Sequence, residues 1–211
     1  IPLAQLITDL VTDHLTANPI QALEQRTGLT ALTFLVLSLA CTPSASILGW
    51  KELLQRRKAL GIYGFMYATL HVLIFFVIDY GLTLMAVLRD VWNKWYILIG
   101  ATAFLLLLPM AITSFTYWMK RLGKNWKRLH RVIYVIVPLV AVHFLLSVKG
   151  DITQLQGNLA QPILYGALIA GLLMARLAPI RVWLIGVRQG LEARGRGAVG
   201  NLARAFTSEK R

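Results

Sequence analysis

Residues 60–80 read LGIYGFMYATLHVLIFFVIDY. A run of about 20 residues whose only carboxylate, Asp79, stands at its far end has the length and character an α-helix needs to cross a bilayer core of about 30 Å. Four more runs share that character: 29–48 (LTALTFLVLSLACTPSASIL), 95–115, 129–148 and 162–178. Hydropathy therefore predicts five spans. The stretch 1–11 (IPLAQLITDLV) is half a span, ended by Asp9, Asp13 and His14. Because the numbering starts at Ile1, that stretch is expected to be the tail of a further helix, giving six in the intact protein. No basic, apolar and small-residue series marks a signal peptide.

Composition agrees. The 211 residues are 57% hydrophobic and 15% charged, with a mean hydropathy of +0.62. A soluble core of this length could not hide so many apolar side chains, and the excess must face lipid. The net charge of +13 would in a soluble protein point to nucleic acid. Its placement points to topology instead. Segments 49–60, 116–131 and 176–211 hold 18 of the 22 basic residues. Residues 1–28, 79–94 and 149–161 hold only Arg26, Arg89, Lys94 and Lys149 against six acidic residues. The positive-inside rule puts the first set, with the C-terminus, in the cytoplasm, where it also favours anionic lipid headgroups. Trp50, Trp92, Trp95 and Trp118 lie near span ends, as an interfacial aromatic belt requires. One cysteine, Cys41, excludes an internal disulfide, and no Cys spacing suits zinc or an iron–sulfur cluster.

In this orientation the spans of His71 and His143 run parallel, separated by one antiparallel helix. Ionisable groups at such depth are costly and usually functional. A neutral imidazole there either bonds a neighbouring helix or ligates a metal or haem iron. Depth separates the candidates. His71 lies roughly 16 Å into its span, His143 roughly 22 Å and His130 roughly 3 Å, at about 1.5 Å per residue. His71 and His143 are thus the pair at nearer height. His130 and His143, about 20 Å apart in rise, have a spacing suited to two stacked haems, yet on an ideal helix they point about 140° apart. Pro138 between them can kink or re-phase the helix. His130 reads equally as one more residue of the basic loop, and His14, in TDHLT, as a surface histidine.

No Ser/His/Asp set, carboxylate pair or HExxH motif is present. Gly195, Gly197 and Gly200 spell GxGxxG, but no strand precedes them, and the match is expected to be chance in a flexible basic tail. With no nucleotide domain, electrons would come from a separate donor.

The strings RTGLTAL, the Thr42–Pro43 pair, RRKALG at 56–61, ATLH, AITS, LGKNWKRLHRVIY and VHFLLSVK together resemble the MsrQ (formerly YedZ) family. These are the haem-binding membrane subunits of bacterial periplasmic methionine-sulfoxide reductase systems, within the ferric-reductase-like transmembrane group. The resemblance runs from about Asn18 through the last span. It implies an all-α integral membrane protein, a six-helix ferric-reductase-like bundle whose first helix is truncated in this chain. It assigns haem association to His71, His143 and His130, with haem b as cofactor, one group or two. Oxidases of the wider group carry two histidines on each of two helices; here the helix of His71 has one, which leaves His130 without a histidine partner.

The implied role is an electron conduit in the bacterial inner membrane. The donor would be the quinone pool or a cytoplasmic flavin reductase. The acceptor would be a periplasmic molybdopterin-containing, MsrP-like catalytic subunit that repairs oxidised methionine. FMN is compatible with this role, although no motif here demonstrates it. Residues 1–180 are expected to form the haem domain and 181–211 a basic cytoplasmic tail. Two alternatives remain open at this point: a self-contained ferric or quinone reductase, and a colourless transporter or scaffold whose histidines carry protons or pack helices.

Overall fold

A computed structural model describes residues 2–12, 18–148 and 159–208, and within these it contains helices and no strand. His14 and residues 149–158 lie outside the described residues. Helix α1 (Pro2–Val11) is followed by α2 (Pro19–Pro43), which widens into a π-helical turn over Ser44–Leu48. Helix α3 (Leu53–Leu73) widens likewise over Ile74–Asp79. Then come α4 (Leu84–Val91), α5 (Trp95–Ile112), α6 (Thr116–Leu122), α7 (Lys124–His130), α8 (Ile133–Ser147), α9 (Ala160–Met174) and α10 (Ala178–Ser208).

Local chemistry sets the boundaries. Asn18 caps α2, its side chain accepting the Gln21 backbone N–H at 3.2 Å, and Pro19 occupies the first turn, where its missing donor costs nothing. Gly49, at φ +81°, ends the first crossing in the left-handed conformation. The hydroxyls of Thr27, Thr30 and Thr33 bond carbonyls one turn back, at 2.7 Å each, so these polar groups sit in apolar helix without loss.

Among the described residues, four helical stretches are long and apolar enough to cross a membrane: Pro19–Leu48, Leu53–Asp79, Trp95–Ile112 and Lys124–Ser147. The fifth expected span departs from the reading of 162–178. Helix α9 stops at Met174, and α10 leaves it at 89°. Pro179 accounts for the break, since it has no N–H to bond the Ala175 carbonyl and carry α9 onward, and it fits the first turn of the next helix, where that donor is not needed. The glycines at 195, 197 and 200 fall within the bounds of α10.

The core joins Leu32, Leu35, Val36 and Leu39 of α2 to Ala103, Leu107 and Met110 of α5, Ile136 and Val137 of α8, and Ile169 of α9. Large apolar side chains such as Leu37, Met66, Leu73, Leu105, Val135 and Leu164 remain exposed around it, as a lipid-facing surface does. The basic segments share one end of the bundle: Arg188 reaches the Ile47 carbonyl, Lys58 lies over the Phe115 ring, and Arg176 bonds Tyr134.

Candidate functional site

His71 and His143 are held by the same construction on different helices. A helical carbonyl has two lone pairs, and the N–H four residues on takes only one. His71 of α3 donates its Nδ1–H to the second lone pair of the Glu24 carbonyl on α2, at 2.9 Å. His143 of α8 donates to the Tyr96 carbonyl on α5, at 2.7 Å. In each case the residue four positions beyond the carbonyl is glycine, and the imidazole lies where its side chain would be. A Cβ on Gly28 would come within 3.2 Å of the His71 ring, and one on Gly100 within 2.7 Å of two His143 ring atoms.

The consequence is a fixed tautomer. With the proton held at Nδ1 by a carbonyl, each Nε2 keeps its lone pair, the arrangement found in metal-ligating histidines. Neither Nε2 has a hydrogen-bond partner among the described residues. The two ring centroids lie 6.2 Å apart with planes at 79°. Metal–imidazole bonds of about 2.0 Å, plus roughly 1.1 Å from each nitrogen to its ring centre, call for a separation of about 6 Å. The separation of the two rings therefore matches the one that ligation of a single metal by both would require. Helices α3 and α8 pack on α2 and α5 respectively and scarcely meet each other along their backbones. The π-helical turn begins three residues after His71, and such widenings recur at functional sites.

His130 stands elsewhere, at the basic end. The Thr113 hydroxyl donates to the Pro109 carbonyl at 2.7 Å, so it accepts from His130 Nε2–H at 3.2 Å. Trp126 stacks on the imidazole at 4.1 Å between centroids and donates its indole N–H to the Thr113 carbonyl. The helix is interrupted at Arg131 and Val132, less than two turns before Pro138, where hydrogen bonds tighten to three-residue spacing. A proline ring crowds the turn that precedes it, on the side of this interruption. Among the described residues no group of three or more His, Cys, Asp or Glu could hold a metal ion.

At the opposite end from His130, a polar corner anchors the start of α5 beside Tyr96. Tyr80 donates to Asp90 at 2.7 Å, and Lys94 pairs with the same carboxylate at 2.6 Å. The hydrogen bond from Lys94, then that from Tyr80, holds the Asp90 carboxyl below its ordinary range, and Asp90 raises Lys94 in return. Burial, followed by the bond to Asp90, raises the Tyr80 phenol.

The sequence alone singles out the three membrane histidines but not Gly28 and Gly100. Their signal lies in spacing: GLTA at 28–31 and GATA at 100–103 precede His71 and His143 by the same interval.

A helical membrane bundle with an opposed pair of anchored imidazoles defines a class, and comparison with known proteins agrees. Residues 27–142 match the model of the ferric reductase like transmembrane component, and the chain belongs to that family. Its relatives narrow the field. The chain is 39% identical over 184 residues to the protein-methionine-sulfoxide reductase heme-binding subunit MsrQ of Brucella melitensis biotype 2, covering 87% of this chain and 79% of that protein. The corresponding MsrQ of Brucella ovis matches at the same identity and coverage.

Proposed function

We propose that this chain is a haem b electron-transfer subunit of a methionine-sulfoxide reductase system, with His71 and His143 as the axial pair of one haem. The observation that carries this reading is the 6.2 Å approach of two imidazoles whose Nδ1 atoms are both tied to backbone carbonyls. The names of the MsrQ relatives support the cofactor. Haem, when bound, supplies one-electron chemistry at a potential tuned by its ligands and surroundings. The chain's own residues do the rest. The Glu24 and Tyr96 carbonyls hold the protons at Nδ1, orient the rings and strengthen Nε2 as a donor. Apolar helices surround the two half-buried rings.

Charge placement supports a direction. The pair lies toward the end of the bundle away from the basic segments, and the positive-inside rule makes that the outer half. In this reading residues 1–180 hold the cofactor in the bacterial inner membrane, while residues 181–211 extend it on the cytoplasmic side. Electrons enter from quinol or a cytoplasmic flavin reductase and leave to a periplasmic molybdopterin-containing, MsrP-like catalytic subunit. His130, engaged with Thr113 and Trp126, is not a ligand of this haem.

The test is a dithionite-reduced absorption spectrum of the purified full chain, with haem quantified. Expected are b-type α and β bands and at least one haem per chain. A colourless protein would overturn the reading and favour the transporter or scaffold. If reduced protein fails to reoxidise on adding the molybdenum subunit with a sulfoxide, the self-contained reductase replaces the conduit.

A further inference from the structure

The α9–α10 break frames a cavity of about 560 Å³ whose lining includes Thr42, Pro43, Tyr134, Arg176, Leu177 and Arg181. Two polar atoms there, Thr42 Oγ1 and Arg176 Nε, are shut off from solvent without a hydrogen-bond partner. Buried donors are nearly always satisfied, and an orphan calls for a ligand, ion or water. Arg176 is not a loose surface cation. It donates from Nη1 to the Tyr134 hydroxyl and from Nη2 to the Leu39 carbonyl, both at 2.6 Å, and its guanidinium lies over the Tyr134 ring. Those contacts fix the guanidinium in place and leave Nε–H and one N–H on each Nη without a partner.

We infer that this cavity is a binding site for the phosphate of an anionic phospholipid. The lining holds two arginines and no carboxylate, which selects a negative ligand. Pro43, Leu173 and Leu177 beside them give the glycerol and first acyl carbons an apolar wall. The surroundings select a lipid over a soluble phosphate ester. The cavity lies at the ends of the spans, and α10 departs at 89° with Trp183, Val187 and Leu191 exposed along one face, the pattern of a helix lying in the membrane interface. Basic pockets between membrane helices bind acidic headgroups in this way. Arg181 and the remaining Nη–H groups of Arg176 supply the donors to the phosphate oxygens, and the enclosed Arg176 Nε–H and Thr42 hydroxyl gain partners as the lining parts around the headgroup.

Native mass spectrometry of the full chain, released from detergent after incubation with phosphatidylglycerol or phosphatidylcholine, tests the site. Expected is phosphatidylglycerol retained about tenfold more than phosphatidylcholine. Arg181→Gln and Thr42→Val should each cut that retention several-fold, and Arg176→Gln should abolish it. Lys124→Gln, away from the cavity, should leave it unchanged. Because Arg176 also ties α9 to α2 and α8, its variant can misfold; Arg181→Gln and Thr42→Val then decide alone. Equal retention of the two lipids, or retention untouched by these two substitutions, would overturn the inference. So would displacement of phosphatidylglycerol by millimolar FMN or inorganic phosphate, which would assign the cavity to a soluble phosphate. Lipid retention is read independently of haem content, so failure here leaves the haem reading standing, and the converse holds.

Discussion

On α2 and α3, Gly28, the Glu24 carbonyl and His71 stand in the same relation as Gly100, the Tyr96 carbonyl and His143 on α5 and α8. Each imidazole lies 47 residues from the carbonyl it bonds. Each member of the second set lies 72 positions after its counterpart (96 − 24, 100 − 28, 143 − 71). Carried toward the basic end, the same register pairs Lys58 with His130 and Cys41 with Thr113. There the likeness stops. Lys58 lies over Phe115, Cys41 bonds the Leu37 carbonyl of its own helix, and His130 bonds Thr113 within its own hairpin. The two hairpins thus match where they face each other across the imidazoles and differ where they do not. Matching is what a ligand pair needs from two sides; the other end is left to α9, α10 and the Arg176 cavity.

The strongest way to break the comparison is to remove one imidazole. His71→Ala and His143→Ala should each abolish the same haem, read as loss of the reduced α band and of haem per chain, while His130→Ala should retain it. If the first two variants lost different haems, the hairpins would not be partners. A graded test follows from the glycines. Gly100→Ala puts a methyl 2.7 Å from the His143 ring, which cannot then stay, whereas Gly28→Ala at 3.2 Å asks for a few tenths of an ångström. Overpacking of this kind costs about 1–3 kcal/mol. Haem retention should therefore fall by roughly tenfold or more in Gly100→Ala and by less in Gly28→Ala. The reverse order would show that the second hairpin is the more yielding. At the unmatched end, Thr113→Val should leave haem content unchanged and lower stability by about 1 kcal/mol, the net worth of a hydrogen bond, measured as a drop in Tm.

Much of this arrangement is legible in the amino-acid sequence, for physical reasons that differ by element. The spans follow from hydropathy because lipid imposes one rule on the whole helix, and the pairing of His71 with His143 follows from depth because the rise per residue is fixed. The glycines are not legible from depth, since their role depends on which helix face meets which imidazole. The break at Ala175–Leu177 is signalled by Pro179 but outweighed by continuous apolar sequence. Arg176 reads as one of many basic-end charges; only packing shows that Leu39 and Tyr134 hold it. The helical course of α10 past residue 194 is hidden by its glycines.

The entrances to the two hairpins give the finest contrast. Asn18 caps α2 with a neutral amide, while the residue 72 positions on, Asp90, is a carboxylate paired with Lys94 and Tyr80. Only the second entrance should therefore respond to acid. The Asp90 carboxyl is held below its ordinary value, chiefly by Lys94. Its contribution is fully present above the unfolded carboxylate value of about 4 and is lost as pH falls through the lower folded value. Lys94, raised by the same pair, stays charged throughout that window. Tm should thus fall as pH drops below about 4, and Asp90→Asn should flatten part of that fall. The change should be small and should shrink in high salt, because the pair is exposed. Asn18→Ala should instead lower Tm equally at every pH, by the roughly 1 kcal/mol that a cap contributes. An acid-dependent loss in Asn18→Ala, or none removed by Asp90→Asn, would mean that the entrances are not distinguished by this ion pair.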